Sequence, residues 1–209
     1  MDSDDIYPLS SYSCTHGHRE MEHGGEIATG QSIRQDQFVW LISIRVIISN
    51  LKGGLSILVP EESKIISSEQ INSALKKQQS RSRRVRIEGL RGQGYVAVGL
   101  EGEVTVDMVG TAGSYLGAFN DGALLKVDGR VGSNLADSMF SGGIIVLGKA
   151  GDGAGNYMSG GVVVVKGSVE GGVCRLMRGG VMIVEGSVGD ESCEFMHGGL
   201  VIIRGNSGI

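Results

Sequence analysis

From about residue 104 to the C-terminus, short apolar runs alternate with glycine-rich polar stretches, and the alternation keeps a fixed period. The clearest runs span residues 124–127, 144–147, 162–165, 181–184 and 200–203. Each is rich in Val, Ile or Leu and bounded by glycine or polar residues. Runs this short cannot show a 3.6-residue period, and their β-branched content predicts strands. The glycine that follows each run falls at Gly110, Gly129, Gly148, Gly167, Gly186 and Gly205, nineteen residues apart without a slip. A second column, three positions on, holds Gly113, Gly132, Gly151, Gly189 and Gly208, and only Glu170 breaks it. A third holds Asn120, Met139, Met158, Met177 and Met196. Double glycines at 142–143, 160–161, 179–180 and 198–199 open the strands.

A nineteen-residue unit is too short to bury a core by itself, so neighbouring units must stack. Equivalent residues then lie about 4.8 Å apart, and six turns make a column roughly 29 Å long. The fold class is all-β: a parallel β-helix, a one-dimensional solenoid with one main strand per coil. The coils have to turn sharply, and a residue with a Cβ costs about 1–2 kcal/mol at φ > 0. The six glycines of the first column are therefore read as left-handed corners.

The strand alternation also predicts which side chains face inward. Val127, Val146, Val165, Val184 and Ile203 form one apolar column, and Leu125, Ile144, Val163, Met182 and Val201 form another. The column between them must point outward, yet it reads Lys126, Ile145, Val164, Ile183, Ile202. Four stacked β-branched residues exceed scattered apolar exposure. The stripe Ile145, Val164, Ile183 and Ile202 is expected to meet a partner, or else the apolar strand read at 38–48.

The first hundred residues are less regular. "SSEQINSALKK" predicts a helix with Ser67 as N-cap, Gln70 completing a capping box, and Ile71 and Leu75 on one face. It is expected to cover the open end of the first coil. Residues 85–109 read as a degenerate coil in which Gly94 keeps the second glycine column and Val104, Val106 and Met108 alternate inward. "FVWLISIRVII", residues 38–48, alternates as a strand; it is too short to span a membrane and carries Arg45. The expected organisation is an irregular, partly disordered N-terminal extension over 1–66 and a β-helix domain over 67–209.

Composition narrows the function. Hydrophobic residues make up 41% and aromatics 5%, which suits a narrow valine-rich column. A net charge of −4 argues against nucleic acid as a partner, and Arg81, Arg83, Arg84 and Arg86 read as a solvated lead-in. Cys14, His16, His18 and His23 match no standard zinc spacing. Cys174 and Cys193 are one period apart, on adjacent coils about 4.8 Å apart at Cα. That lies within disulfide range, and two reduced thiols are the expectation for a cytoplasmic protein. The residues that break the repeat are Glu170, Cys174 and Cys193, with Arg175 and Asp190 nearby; they are the candidates for a pocket. The methionine column reads as adaptable core filling rather than a soft-metal site. No catalytic, metal or cofactor-binding set emerges from these residues. A hexapeptide acyltransferase needs a six-residue period, a polysaccharide lyase an outward charged cleft, and a calcium solenoid in-phase aspartates; Asp128, Asp137, Asp152 and Asp190 do not recur in phase.

The segments "GTAGSYLGAF", "SGGIIVLGKAGDGAG" and "MSGGVVVVKGSV", with "LRGQGYVAVGL" upstream, resemble the family named for its GXGXG motif. That family includes the C-terminal domain of the glutamate synthase large subunit and free-standing relatives. One of the subunits of formylmethanofuran dehydrogenase shares the same coils, and the small subunit of methylglutamate synthase is similar. The resemblance implies a right-handed β-helix without catalytic residues. In glutamate synthase it packs between a glutamine amidotransferase domain and an FMN-containing synthase domain. It also implies that FMN and iron–sulfur clusters belong to partner subunits, with a homo-oligomer as a further option for assembly.

Overall fold

The computed structural model describes residues 47–51, 54–58, 67–79 and 83–208. Nine strands form one continuous sheet in chain order: β1 (Ile47–Leu51), β2 (Gly54–Leu58), β3 (Arg84–Gln93), β4 (Thr105–Ala112), β5 (Asp121–Asp128), β6 (Ser141–Val146), β7 (Val162–Val165), β8 (Val181–Val184) and β9 (Leu200–Ile203). β1 and β2 pair antiparallel, and every later pairing is parallel. From β4 onward the register advances by one period per turn: Val106↔Leu125, Leu125↔Ile144, Ile144↔Val163, Val163↔Met182, Met182↔Val201. This is a right-handed parallel β-helix. Of the strand expected at 38–48, only Ile47 and Ile48 fall among the described residues, and they belong to β1.

The first crossover is longer. Val85 pairs with Val106, twenty-one positions on, and the ladder returns to step at Gln93↔Ala112 after two register shifts. Gly89 and Gly92, at φ 83° and 89°, sit at those shifts and are the two extra residues. They are bulges, the usual way for a strand to absorb an insertion without losing its inward face. That face stays buried: Val85, Ile87, Val106 and Met108 are all at or below 1% exposure.

The single described helix, α1 (Ser68–Gln79), starts where the capping box predicts. The Gln70 N–H donates to Ser67 Oγ at 3.3 Å, and the Ser67 N–H donates to Gln70 Oε1 at 3.1 Å. Ile71 and Leu75 are buried against the first coil. Asn72 pins the helix to that coil: its Nδ2 donates to Tyr95 O at 2.6 Å and its Oδ1 accepts the Ala97 N–H at 2.8 Å. The open backbone groups of the first turn are thus satisfied by a side chain.

Each coil has three parts. The main strand supplies the two inward columns, Leu125, Ile144, Val163, Met182 and Val127, Val146, Val165, Val184, all 0% exposed. A one-residue bridge then stacks Ala112, Val131, Ala150, Val169 and Val188 in parallel. A turn closes the coil, and here left-handed residues alternate with others. In one coil these are Asn134, Ala136 and Ser138, at φ 58°, 59° and 54°. Their N–H groups bond in both directions: Asn134 to Asp152 O and Ser138 to Asn156 O ahead, Ala136 to Leu116 O behind, at 2.7–2.9 Å. Backbone strain at such residues persists only where surrounding bonds over-determine it, and the two-way ladder does that.

The column glycines need a correction. Gly110 and Gly129 are left-handed, at φ 117° and 154°, but Gly148, Gly167, Gly186 and Gly205 are not. Their requirement is space. A Cβ on Gly167 would lie 2.6 Å from Gly148 O, and one on Gly148 still closer to Gly129 O. Here backbone meets backbone between coils, with the Gly148 N–H donating to Gly129 O at 3.0 Å. The left-handed glycines stand elsewhere, as the second of each pair at Gly161, Gly180 and Gly199, and as the first at Gly142. At Gly161, Gly180 and Gly199 a methionine one coil back reaches into the gap. Met139 Cε faces Gly161, Met158 Cε faces Gly180 and Met177 Cε faces Gly199, each 2.5–2.7 Å from where a Cβ would be. Met139, Met158 and Met177 are fully buried, so the methionine column is core.

Candidate functional site

The outer face of β6–β9 carries an ordered apolar surface. Ile145, Val164, Ile183 and Ile202 stack along it, between inward neighbours, and point away from the core; the first three are half-buried by their stacked neighbours and Ile202 is exposed. A parallel outward column holds Gly143, Val162, Val181 and Leu200, of which Val162 is 43% and Leu200 52% exposed. Two columns over four coils make a patch on the order of 300 Å². A stable interface needs about 800 Å² per partner, so the stripe is the apolar centre of a larger contact rather than the whole of one.

Charges line one side of the patch, two cations around one carboxylate. Lys166 Nζ donates to Glu185 Oε1 at 2.5 Å, and Arg204 Nη1 lies 3.7 Å from the same oxygen. The hydrogen bond from Lys166, helped by the charges of Lys166 and Arg204, holds the Glu185 carboxyl below its ordinary pKa. The described part of the basic segment before the first coil is paired too, while Arg81 lies outside the described residues. Arg83 faces Glu103 at 4.0 Å, Arg84 faces Asp107 at 2.9 Å and Arg86 faces Glu88 at 2.6 Å.

Where Glu170 interrupts the second glycine column, the coils stay bonded, with the Glu170 N–H donating to Ala150 O at 3.1 Å, but the turn that follows changes. The left-handed series Tyr115, Asn134, Gly153 misses a beat at Gly172 and resumes at Glu191. A cleft of about 70 Å³ opens there, lined by Asp152, Gly153, Asn156, Gly172, Arg175 and Glu191. Of the five pocket candidates read from the sequence, Arg175 lines the cleft, whereas Glu170, Cys174, Asp190 and Cys193 do not; Glu170 leans toward Arg130 at 3.6 Å. The Arg175 guanidinium is held by Glu191 and, at 3.0 Å, by Glu194, while its backbone N–H donates to Asn156 Oδ1 at 3.0 Å. Arg175, Glu191 and Asn156 thus engage one another, and no Ser, Cys, Lys or His side chain lines the cleft. Among the described residues, no group of three or more His, Cys, Asp or Glu is placed to hold a metal ion. Cys14 and the histidines His16, His18 and His23 lie outside the described residues.

Cys174 and Cys193 stack in one column, both left-handed, at φ 58° and 62°. Both are free thiols, Cys174 fully buried and Cys193 partly so. Burial, with a smaller contribution from Cys193, pushes the Cys174 thiol up to about 12, and burial raises Cys193 as well.

A second outward feature goes beyond what the sequence pattern predicts. The turn face carries exposed aromatics at Phe119, Phe140, Tyr157 and Phe195, and Tyr95 stacks on Tyr115 with ring centroids 4.8 Å apart. Phe119, Tyr157 and Phe195 occupy one column, at φ 53–56°. A bulky residue in that region is a genuine outlier. A signal for it exists: positions 119, 138, 157, 176 and 195 read Phe, Ser, Tyr, Leu, Phe at the period of the repeat.

No solved structure matches the chain. Protein GlxC of Rhizobium meliloti (strain 1021) is 41% identical over 56 residues, 27% of this chain and 25% of that protein. The alignment therefore spans a quarter of the relative. The model of the GXGXG motif family matches residues 56–209, which takes in the last three residues of β2, then α1 and β3 to β9 with every coil. With nineteen-residue coils, backbone contacts that exclude a Cβ, and a family match across more than half of its length, the chain belongs to the GXGXG motif family.

Proposed function

We propose that this chain is a non-catalytic β-helix scaffold subunit of a glutamate synthase-like complex in the cytoplasm, holding a glutamine amidotransferase subunit against an FMN-containing synthase subunit. The observation that carries the reading is the outward apolar stripe of Ile145, Val164, Ile183 and Ile202 on an otherwise rigid column. A scaffold needs a stiff body and a face that is costly to leave in water, and this one has both. The cleft at Arg175 is lined by the carboxylates of Asp152 and Glu191 but by no Ser, Cys, Lys or His side chain, and chemistry is assigned to the partners, as are the flavin and the iron–sulfur clusters. No helix among the described residues is long and apolar enough to cross a membrane.

The test is co-expression with the two partner-type subunits. The native chain is expected to co-purify with both, and flavin absorbance is expected to follow the synthase subunit and be missing from the chain expressed alone. Val164→Lys with Ile183→Lys puts two charges in the centre of the patch while leaving the inward columns intact. The variant should keep its melting temperature within a few degrees and lose the complex by roughly a hundredfold or more in affinity, since each desolvated charge costs several kcal/mol. Full assembly of the double variant would exclude the stripe as the docking face.

A further inference from the structure

Cys174 and Cys193 occupy equivalent positions in adjacent coils, and the coil before them measures the geometry of that relation. Gly155 is one period upstream of Cys174, in the same left-handed column. An ideal Cβ on Gly155 would lie 3.1 Å from Cys174 Sγ. Across a disulfide, a Cβ and the partner's sulfur stand about 3.0 Å apart, given an S–S bond of about 2.05 Å. One-coil spacing in this column therefore brings a Cβ and the next sulfur to about that separation; Cys174 Sγ itself faces the upstream coil, so closing a bond to Cys193 takes a χ1 rotation of Cys174 and no backbone shift. Cys174 and Cys193 share that spacing, and the backbone ladder is regular there: the Cys174 N–H donates to Ala154 O at 2.8 Å and the Cys193 N–H to Val173 O at 2.7 Å.

We propose that Cys174 and Cys193 form a reversible disulfide that staples the turns after β7 and β8, near the C-terminal end of the column, through exchange with a small-molecule disulfide. The two thiols differ in access, and that sets the order of events. Cys193 is partly exposed, so its thiolate attacks one sulfur of the small disulfide, forms a mixed disulfide and expels one small thiolate. Cys174, fully buried, is the resolving group. Its sulfur loses a proton to the expelled thiolate and attacks Cys193 Sγ, and the second small thiolate leaves. Two protein thiols are oxidised by two electrons, and the small disulfide is reduced to two thiols, which carry away the two protons. Burial raises both protein thiols above the ordinary range, which makes the exchange slow near neutral pH and protects the pair from casual oxidation. Closing the bond ties the turn after β7 to the turn after β8, next to the last coil, where Met196, Val201 and Ile203 are only partly buried.

The test uses the full chain, fully reduced and then held with oxidised glutathione under mildly alkaline conditions, followed by alkylation and peptide mapping without reductant. The expected product is a peptide pair joined through Cys174 and Cys193, lighter by two hydrogens, with a melting temperature raised by several degrees. Cys174→Ala should stop the reaction at a glutathione adduct on Cys193. Alanine is native to this column at Ala97 and Ala136, so the variant is expected to fold. Cys193→Ala should leave Cys174 unmodified. A native chain that accumulates the Cys193 adduct without closing the bond, or that links Cys14 instead, overturns the proposal. So does a closed bond that leaves the melting temperature unchanged.

Discussion

Gly148→Ala is expected to prevent the column from folding, or to destabilise it by more than about 4 kcal/mol, the range reserved for a named structural collision. The new methyl would have to share space with the Gly129 carbonyl oxygen and stand 2.8 Å from its carbon, both backbone atoms of the coil beneath. Neither can yield without opening the Gly148 N–H bond to that same oxygen. Gly99→Ala is the control. Gly99 is left-handed, at φ 58°, and a Cβ there meets nothing within 4 Å. One coil on, the same column carries side chains at Phe119, Ser138, Tyr157, Leu176 and Phe195, at φ 53–57°. The cost should be the left-handed penalty alone, about 1–2 kcal/mol. Urea melts of the two variants separate the causes: equal losses would mean that dihedral preference, not contact between coils, governs the glycines.

Met158→Ala is expected to cost about 2–5 kcal/mol, the usual range for emptying a buried site of this size. Met158 is 0% exposed, its methyl fills the gap at Gly180, and its sulfur stands near Gly155 together with those of Cys174 and Met182. A neighbour cannot easily relax into the hole, because the coils on either side fix the backbone around it. Met196→Ala removes the same side chain from the same column, but Met196 is only partly buried. Its loss should cost less than about half as much, since water can enter and little cavity remains. Denaturant midpoints at an unchanged m-value decide the comparison. Similar losses at both positions would show that the last coil is as tightly closed as the inner ones.

The fold is legible in the sequence where one physical demand repeats in every coil. The apolar runs at 162–165, 181–184 and 200–203 coincide with β7, β8 and β9, because each is bounded by glycines that admit no other reading. Ser67 and Gln70 place the start of α1, because the capping box is a local interaction. The Gly148 column is visible, but left-handed corners are the wrong cause for it. Dihedral freedom and lack of room select the same residue, and only the distance to Gly129 O tells them apart. Gly89 and Gly92 hide the bulges of β3, since an inserted residue looks like a lost period until the pairing is known. The left-handed residues Phe119, Tyr157, Cys174 and Phe195 lie beyond reach, because local preference argues against them and only the two-way ladder of neighbouring coils holds them there. The cleft beside Arg175 depends on the altered backbone at Gly172, whereas the visible signal is the odd Glu170 two residues earlier.

The constant step of the ladder bears on how quickly the chain finds this shape. Parallel sheets are ordinarily slow to form, because each pairing waits for a long crossover to close. Here a strand's partner is never far along the chain: Ile144 meets Val163, and Val163 meets Met182, with only nineteen positions between them in a chain of 209 residues. Set against the 142 positions from 67 to 208 that carry the coils, that step gives a relative contact order of about 0.13, in the range of mixed α/β domains and below that of β-sandwiches. Refolding from urea is therefore expected in milliseconds rather than seconds, and a stopped-flow trace dominated by a phase of seconds would contradict it. Each coil, once laid down, is the template for the next, so assembly can proceed by short-range zippering along the axis instead of a search among distant strands.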